Sequence, residues 1–382
     1  MAEHQKHIKL SKPTLGHFHR NELGILGTNC SAIRQLANAI IVELSSMYKI
    51  AYIDAEHKPA QKQDESILSH GGSFELVDKI SHRSLSLKQT FNTYQSRSLF
   101  IDQDLVLVNA NHFPAQFQIA VIDPAKPLDK KLEKLSNVQL ILLNEGVTTL
   151  PHFLSEYFPS GFAAPILKIT DTIHIATFIN TWLKERKAPL NGLVLAGGKS
   201  ERMQMDKGSI SYFGQSQRLY VHKLLTSFCV NTFISYATDG DVQASEQLPV
   251  ITDTFAGLGP IGGILSAFRS RPDAAWLTVA CDMPYLTAET LNYLVQHRNT
   301  SKLATCFIDA NNEFPEPLVT IWEPKAYAVI LQFLAQGYSC PRKVLINSEV
   351  ELLQAPNVNE FKNINLPNER DAVIDDLKTG CK

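Results

Sequence analysis

The apolar run Leu190-Asn191-Gly192-Leu193-Val194-Leu195 leads directly into Ala196-Gly197-Gly198-Lys199-Ser200-Glu201-Arg202-Met203, with Asp206-Lys207 just beyond. A run this apolar, with poor alternation, suits a strand buried on both faces, as the strands of parallel sheets are. That commits this part of the chain to an α/β architecture. Two successive glycines let backbone N–H groups approach a polyphosphate without Cβ obstruction, and such nests favour anions. Arg202 and Lys207 add positive charge on the same side. A bare glycine pair reads as a simple βα turn; the spaced cations favour a phosphate ligand.

Two further segments extend that reading. Leu277-Thr278-Val279-Ala280-Cys281-Asp282-Met283-Pro284 is an apolar strand ending in a carboxylate. In open α/β sheets ligands bind outside the carboxyl ends of strands, which is where Asp282 falls. One carboxylate there suits Mg²⁺, which takes one or two protein carboxylates and completes its octahedron with water and phosphate oxygens. An Asp capping the next turn is the plainer alternative. Asp253 opens a second glycine-rich loop, Asp253-Thr254-Phe255-Ala256-Gly257-Leu258-Gly259-Pro260-Ile261-Gly262-Gly263. An ionised carboxylate only accepts hydrogen bonds, so Asp253 suits the N1 and N2 donors of guanine or a ribose hydroxyl. Taken alone, it reads as a turn former.

Composition narrows the function classes. At about 150 residues per domain, 382 residues make two or three domains. A formal net charge of −2 gives no electrostatic footing for nucleic acid. Cys30, Cys229, Cys281, Cys306, Cys340 and Cys381 show no CxxC spacing, so neither a zinc site nor a disulfide framework is indicated. Met1 to Lys12 is polar and no run reaches 18 apolar residues, so a cytoplasmic protein without a membrane partner is expected.

Strand-like runs at 49–54, 104–109, 118–123 and 138–143, with helical patterns at 31–47 and 173–186, make the first half α/β with a mostly parallel sheet. A long polar stretch separates the first two runs. Lys184-Glu185-Arg186-Lys187-Ala188-Pro189 is a charged, proline-ended connector, which places the domain boundary between 187 and 188. The second half repeats the rhythm: strands at 190–195, 231–237, 249–252 and 275–281, and helices near 218–228, 263–269, 325–335 and from 369.

The set LAGGKSERM…DK, the D-x-x-x-G-x-GP-x-GG loop, the CDMP strand end and Asn363-Ile364-Asn365 resembles the molybdenum cofactor guanylyltransferase family, in family order, from about Leu190 to the C-terminus. The resemblance implies a nucleotide-diphospho-sugar-transferase-like, Rossmann-type sheet, Mg²⁺-GTP as donor, and transfer of GMP to molybdopterin with release of pyrophosphate. It implies GTP contacts from Leu195, Ala196, Gly197, Gly198, Lys207, Asp253 and Asp282, with Asp282 also holding Mg²⁺. Asn363 and Asn365 match a late motif near the acceptor. Ser235 stands where the family often has Asn, as a weaker nucleotide contact. Glu316-Pro317-Leu318 and Pro341-Arg342-Lys343-Val344-Leu345 resemble substrate-side segments, with Arg342 and Lys343 toward the acceptor phosphate; a helix cap and a solvated basic pair are the equal alternatives. In the resulting scheme Lys207, Arg202 and Asp282 carry the catalysis by positioning and charge stabilisation, without a protein nucleophile.

Gly16 to Ser31 sits where a P-loop domain places its phosphate loop, but it lacks the GK[ST] ending. With the turn at Gly27, the strand end Asp54-Ala55-Glu56-His57-Lys58 and the run Asp104–His112, residues 1–187 resemble the molybdopterin-guanine dinucleotide biosynthesis adaptor. The expectation is a degenerate P-loop-like α/β domain, with molybdoenzymes or other cofactor-biosynthesis proteins as its partners. Asn109-Ala110 replaces the family's Glu-Gly step. His17, His19, His57 and His112 have no ligand spacing and are expected to be hydrogen-bonded or surface residues. Two alternatives stay open: cytidylyl transfer to molybdopterin or another phosphorylated acceptor, and a non-catalytic nucleotide-sensing adaptor.

Overall fold

The computed structural model describes residues 16–56, 66–157, 164–196, 207–237, 248–309, 311 and 313–379. The chain divides into two compact units, 1–186 and 187–382.

The first unit runs β1 (Glu22–Leu26), α1 (Cys30–Leu44), β2 (Ile50–Ile53), β3 (Phe74–Lys79), β4 (His82–Leu87), α2 (Thr93–Leu99), β5 (Leu105–Asn109), β6 (Phe117–Ile122), β7 (Val138–Leu143), α3 (His152–Tyr157), β8 (Ile166–Lys168) and α4 (Thr172–Glu185). Its main sheet has the order β2-β5-β1-β6-β7-β8, and every pairing is parallel. β1, β5 and β6 are buried on both faces, which is why they read as unbroken apolar runs. Leu23 and Ile25 face the stripe of α1 formed by Ile33, Leu36, Ala37, Ile40 and Leu44, together with Ile175, Ile179 and Trp182 of α4. Leu26, Ala120 and Ile122 face a second core with Leu128, Leu135 and Leu154.

Two features here had no sequence signal. Glu22 is fully buried at the head of β1, and its carboxylate accepts backbone N–H bonds from His17, Phe18, His19 and Gln116 at 2.7–3.2 Å. The polar stretch after β2 holds the antiparallel hairpin β3–β4, with Phe74 opposite Leu87 and Lys79 opposite His82. Its Phe74, Leu76 and Leu85 are exposed, so no core pattern marks it.

The second unit runs β9 (Leu190–Leu195), α5 (Gln217–Thr226), β10 (Thr232–Tyr236), β11 (Val250–Thr252), α6 (Pro260–Ser270), β12 (Ala275–Ala280), α7 (Ala288–Gln296), β13 (Ala304–Ile308), β14 (Pro315–Trp322), α8 (Ala326–Ala335), α9 (Pro341–Ile346), β15 (Glu351–Leu353) and α10 (Pro367–Thr379). Its sheet has the order β11-β10-β9-β12-β14-β13-β15. β9 to β12 are mutually parallel, and β14 runs antiparallel to both β12 and β13. α5 and α7 cover one face through Val221, Leu225, Leu291 and Leu294. α6, α8 and α9 cover the other through Ile264, Phe268, Ile330 and Val344. The parallel half brings the carboxyl ends of β9, β10, β11 and β12 to one edge. The reversed β14 brings its first residues to that same edge.

Candidate functional site

Leu195 and Ala196 close β9 almost fully buried, and the Ala196 N–H donates to the Ser235 carbonyl at the end of β10. Gly197, Gly198 and Arg202 lie outside the described residues. Lys207 begins a single 3₁₀ turn, Lys207–Ser209. Lys207 Nζ donates to Asp282 Oδ2 at 3.1 Å and to Asn365 Oδ1 at 2.6 Å. The Lys207 and Asp282 side chains are each 18% exposed, so the pair is largely screened from water yet reachable.

Asp282 stands just past β12, and its backbone carbonyl accepts from Ile364 N–H at 2.9 Å. That bond carries the 363–365 segment onto the strand end. In the first turn of α10 the Glu369 carboxylate accepts the N–H groups of Asn365 and Leu366 at 2.8 and 3.0 Å. These bonds hold its carboxyl below the ordinary Glu range. Asn365 therefore meets Lys207, whereas Asn363 is exposed.

Asp282 Oδ1 is buried without a hydrogen-bond partner. A buried orphan acceptor is costly, and a hard divalent cation that prefers oxygen is a fitting occupant. Among the described residues no group of three or more His, Cys, Asp or Glu is arranged for a metal. One carboxylate completed by water and phosphate oxygens is the coordination style of Mg²⁺, so the residues present fit that ion.

Across the same edge, Ser235 Oγ donates to Asp253 Oδ1 at 2.7 Å, and Asp253 N–H is fixed on the Tyr236 carbonyl at 2.8 Å. Burial raises the Asp253 carboxyl above the ordinary range, with the Ser235 hydroxyl working against that rise. α6 lies so close that a Cβ at Gly263 would come within 2.5 Å of Ser235 Oγ. Gly263 thus lets α6 pack against the Ser235–Asp253 pair.

Arg342 and Lys343 sit in the first turn of α9 and have separate surroundings. Arg342 reaches Glu316 Oε2 at 3.4 Å and Asp309 Oδ2 at 3.8 Å, while Lys343 Nζ lies 5.9 Å from the Tyr338 ring centroid. Burial pushes the Glu316 carboxyl up, opposed by the Leu318 N–H and by Arg342. Pairing of Val279 with Val319 sets Glu316, at the start of β14, beside the end of β12 that carries Asp282.

Sequence reasoning missed Arg218 and Glu369. Arg218 is 1% exposed in α5, donates to Tyr236 Oη at 2.7 Å, and lies over that ring. Its signal is a charged residue on the buried stripe shared with Val221 and Leu225. Glu369 had a weaker one, an acid two residues into a proline-started helix.

In the first unit only Gly27, Thr28 and Asn29 separate β1 from α1. Gly27 has φ +94°, and a Cβ there would lie 2.1 Å from the Val121 carbonyl. The Thr28 carbonyl accepts from Asn111 Nδ2 and Lys126 Nζ, each at 3.0 Å, and its hydroxyl donates to Asp123 at 2.5 Å. A G-x-x-x-x-G-K-[ST] phosphate loop does not fit in three residues whose carbonyl is already held inward.

Residues 192–351 match the family described as the MobA-like NTP transferase domain, and the second unit carries such a domain. The chain is 36% identical over 185 residues to a molybdenum cofactor biosynthesis bifunctional protein of Synechocystis, covering 48% of this chain and 53% of that one. It is 34% identical over 113 residues to a probable molybdenum cofactor guanylyltransferase of Mycobacterium bovis, covering 28% and 56%. The chain thus spans about half the length of these relatives. Among solved structures, molybdopterin-guanine dinucleotide biosynthesis protein A from Archaeoglobus fulgidus aligns at TM-score 0.43 and 21% identity over 50% of this chain and 99% of that one. A MobB protein homologue from Bacillus stearothermophilus aligns at TM-score 0.32 and 12% identity over 43% and 99%.

Proposed function

We propose that the second unit transfers GMP from Mg²⁺-GTP to the phosphate of molybdopterin and releases pyrophosphate. The observation that carries this is the Asp282–Lys207–Asn365 contact at the carboxyl ends of β9 and β12, with the Ser235–Asp253 pair on the same edge. The phosphates and the base of one nucleotide would span the two groups. The names of the relatives supply guanine and the molybdenum cofactor.

In this reading an acceptor phosphate oxygen attacks the α-phosphorus in line, and the bond to the bridging oxygen of the β-phosphate breaks. Charge builds on the equatorial and leaving oxygens, so the protein's part is positioning and charge stabilisation. Lys207 leaves its resting partners, Asp282 and Asn365, to meet the phosphates. Asp282 would hold Mg²⁺, which supplies charge neutralisation at those oxygens when bound. Ile364 and Glu369 keep Asp282 and Asn365 in place through backbone bonds. Asp253 accepts from the base, with one oxygen already engaged by Ser235.

That engagement keeps cytidylyl transfer as the second reading. Guanine presents two adjacent donors to a carboxylate, while cytosine presents a donor and an acceptor, which a Ser–Asp pair also suits. The test is pyrophosphate release with molybdopterin across the four nucleoside triphosphates, in wild type and Asp282→Asn. Release with GTP alone that is lost in Asp282→Asn is expected. Release with CTP selects the second reading, and release with none overturns both.

A further inference from the structure

The carboxyl edge of the first sheet holds a group of side chains that the nucleotide chemistry does not use. Cys30 is the first residue of α1, Asp54 directly follows β2, and His112 comes three residues after β5. Cys30 Sγ lies 3.2 Å from His112 Nε2, and the same nitrogen is 4.0 Å from Asp54 Oδ1. Burial alone would raise the Asp54 carboxyl, but hydrogen bonds from Tyr52, Ala55, Asn109 and Arg34 bring it below the ordinary range. Those donors stand at 2.7–3.1 Å. The thiol and a fixed carboxylate therefore flank the same imidazole nitrogen, with the thiol the nearer, and the three groups come together from three loops. A thiol within hydrogen-bond reach of an imidazole nitrogen is a nucleophile paired with a base that can take its proton.

We propose that Cys30 is a modification site, a thiol activated by His112 that exchanges with low-molecular-weight disulfides. His112 takes the thiol proton as Cys30 sulfur attacks one sulfur of the disulfide. The S–S bond breaks, a mixed disulfide forms on Cys30, and the departing thiolate takes the proton back from His112. Nothing is oxidised beyond the exchange itself. Asn111 Nδ2, which donates to the Thr28 carbonyl at 3.0 Å, also lies 3.9 Å from Cys30 Sγ.

The remaining cysteines provide the contrast. Burial pushes the thiols of Cys229, Cys281 and Cys306 up to about 12. Cys340 is exposed and serves as an internal reference, while Cys381 lies outside the described residues.

The test incubates the full-length protein with glutathione disulfide at neutral pH and follows each cysteine by peptide mass spectrometry, in wild type and His112→Ala. Cys30 is expected to gain the glutathionyl adduct at least about tenfold faster than Cys340, and to lose that advantage in His112→Ala. Dithiothreitol should remove the adduct. Modification of Cys30 no faster than Cys340 in wild type overturns the proposal whether or not the variant folds. An unchanged Cys30 rate in folded His112→Ala overturns it equally.

Discussion

Lys207 ties together three parts of the chain, since its ammonium is held by Asp282 at the end of β12 and by Asn365 before α10. Removing it takes away a charged hydrogen bond of about 1.5–3 kcal/mol, so Lys207→Ala is expected to lower kcat about 10- to 100-fold if the contact is felt mainly in the transition state. Steady-state pyrophosphate release with Mg²⁺-GTP checks this, and unchanged turnover would remove Lys207 from the mechanism. Asp253 behaves oppositely to a stabilising carboxylate. Its folded value is raised by burial, so the folded state binds more protons than the unfolded one just above the ordinary Asp range. Stability from this group therefore falls as pH rises through that window. Asp253→Asn should raise the neutral-pH Tm or leave it unchanged while weakening GTP, and wild-type GTP affinity should fall on acidification at a higher pH than an ordinary carboxylate allows. Differential scanning fluorimetry and GTP titration across pH check both signs; a lower Tm in the variant would contradict the burial account.

Among elements, α6 is placed by two glycines, Gly262 against the Phe255 carbonyl and Gly263 against β10. Gly263 lets it lie against β10, and the nearest obstacle to a Cβ is the very hydroxyl that holds Asp253. Gly263→Ala is therefore expected to displace Ser235 from Asp253 and raise the KM for the nucleotide more than it lowers kcat. Equal nucleotide KM in variant and wild type would show that helix packing and the Ser235–Asp253 pair are uncoupled. Elements also show what could be read from pattern. β9 was legible to the residue at 190–195, and β12 to within one, because each is an uninterrupted buried run. The hairpin β3–β4 was not, since a two-stranded ribbon with exposed apolar residues leaves neither alternation nor a core run. β14 was seen only as a short substrate-side segment. Its antiparallel pairing depends on β12, far away in sequence.

At the scale of the molecule, two units, each with its own sheet and its own cores, predict that nucleotide stabilises one unit and not the other. Mg²⁺-GTP at 100 times its dissociation constant should add about 2.7 kcal/mol to the unit that binds it. Calorimetry should show the ligand moving one of two unfolding transitions, and a matched shift of both would contradict independent unfolding. The sequence by itself determined the α/β class and the strand ends after which Asp253 and Asp282 stand, and it singled out Lys207 as a candidate, because an unbroken apolar run and the residues that end it are local properties. Only the tertiary structure decided that Asn365 meets Lys207, that Ser235 engages Asp253, that Arg342 lies with Glu316 and Asp309, and that Cys30 faces His112. Each of those pairs joins residues from 18 to 158 positions apart, and distance along a chain carries no record of which loops a sheet will bring to the same edge.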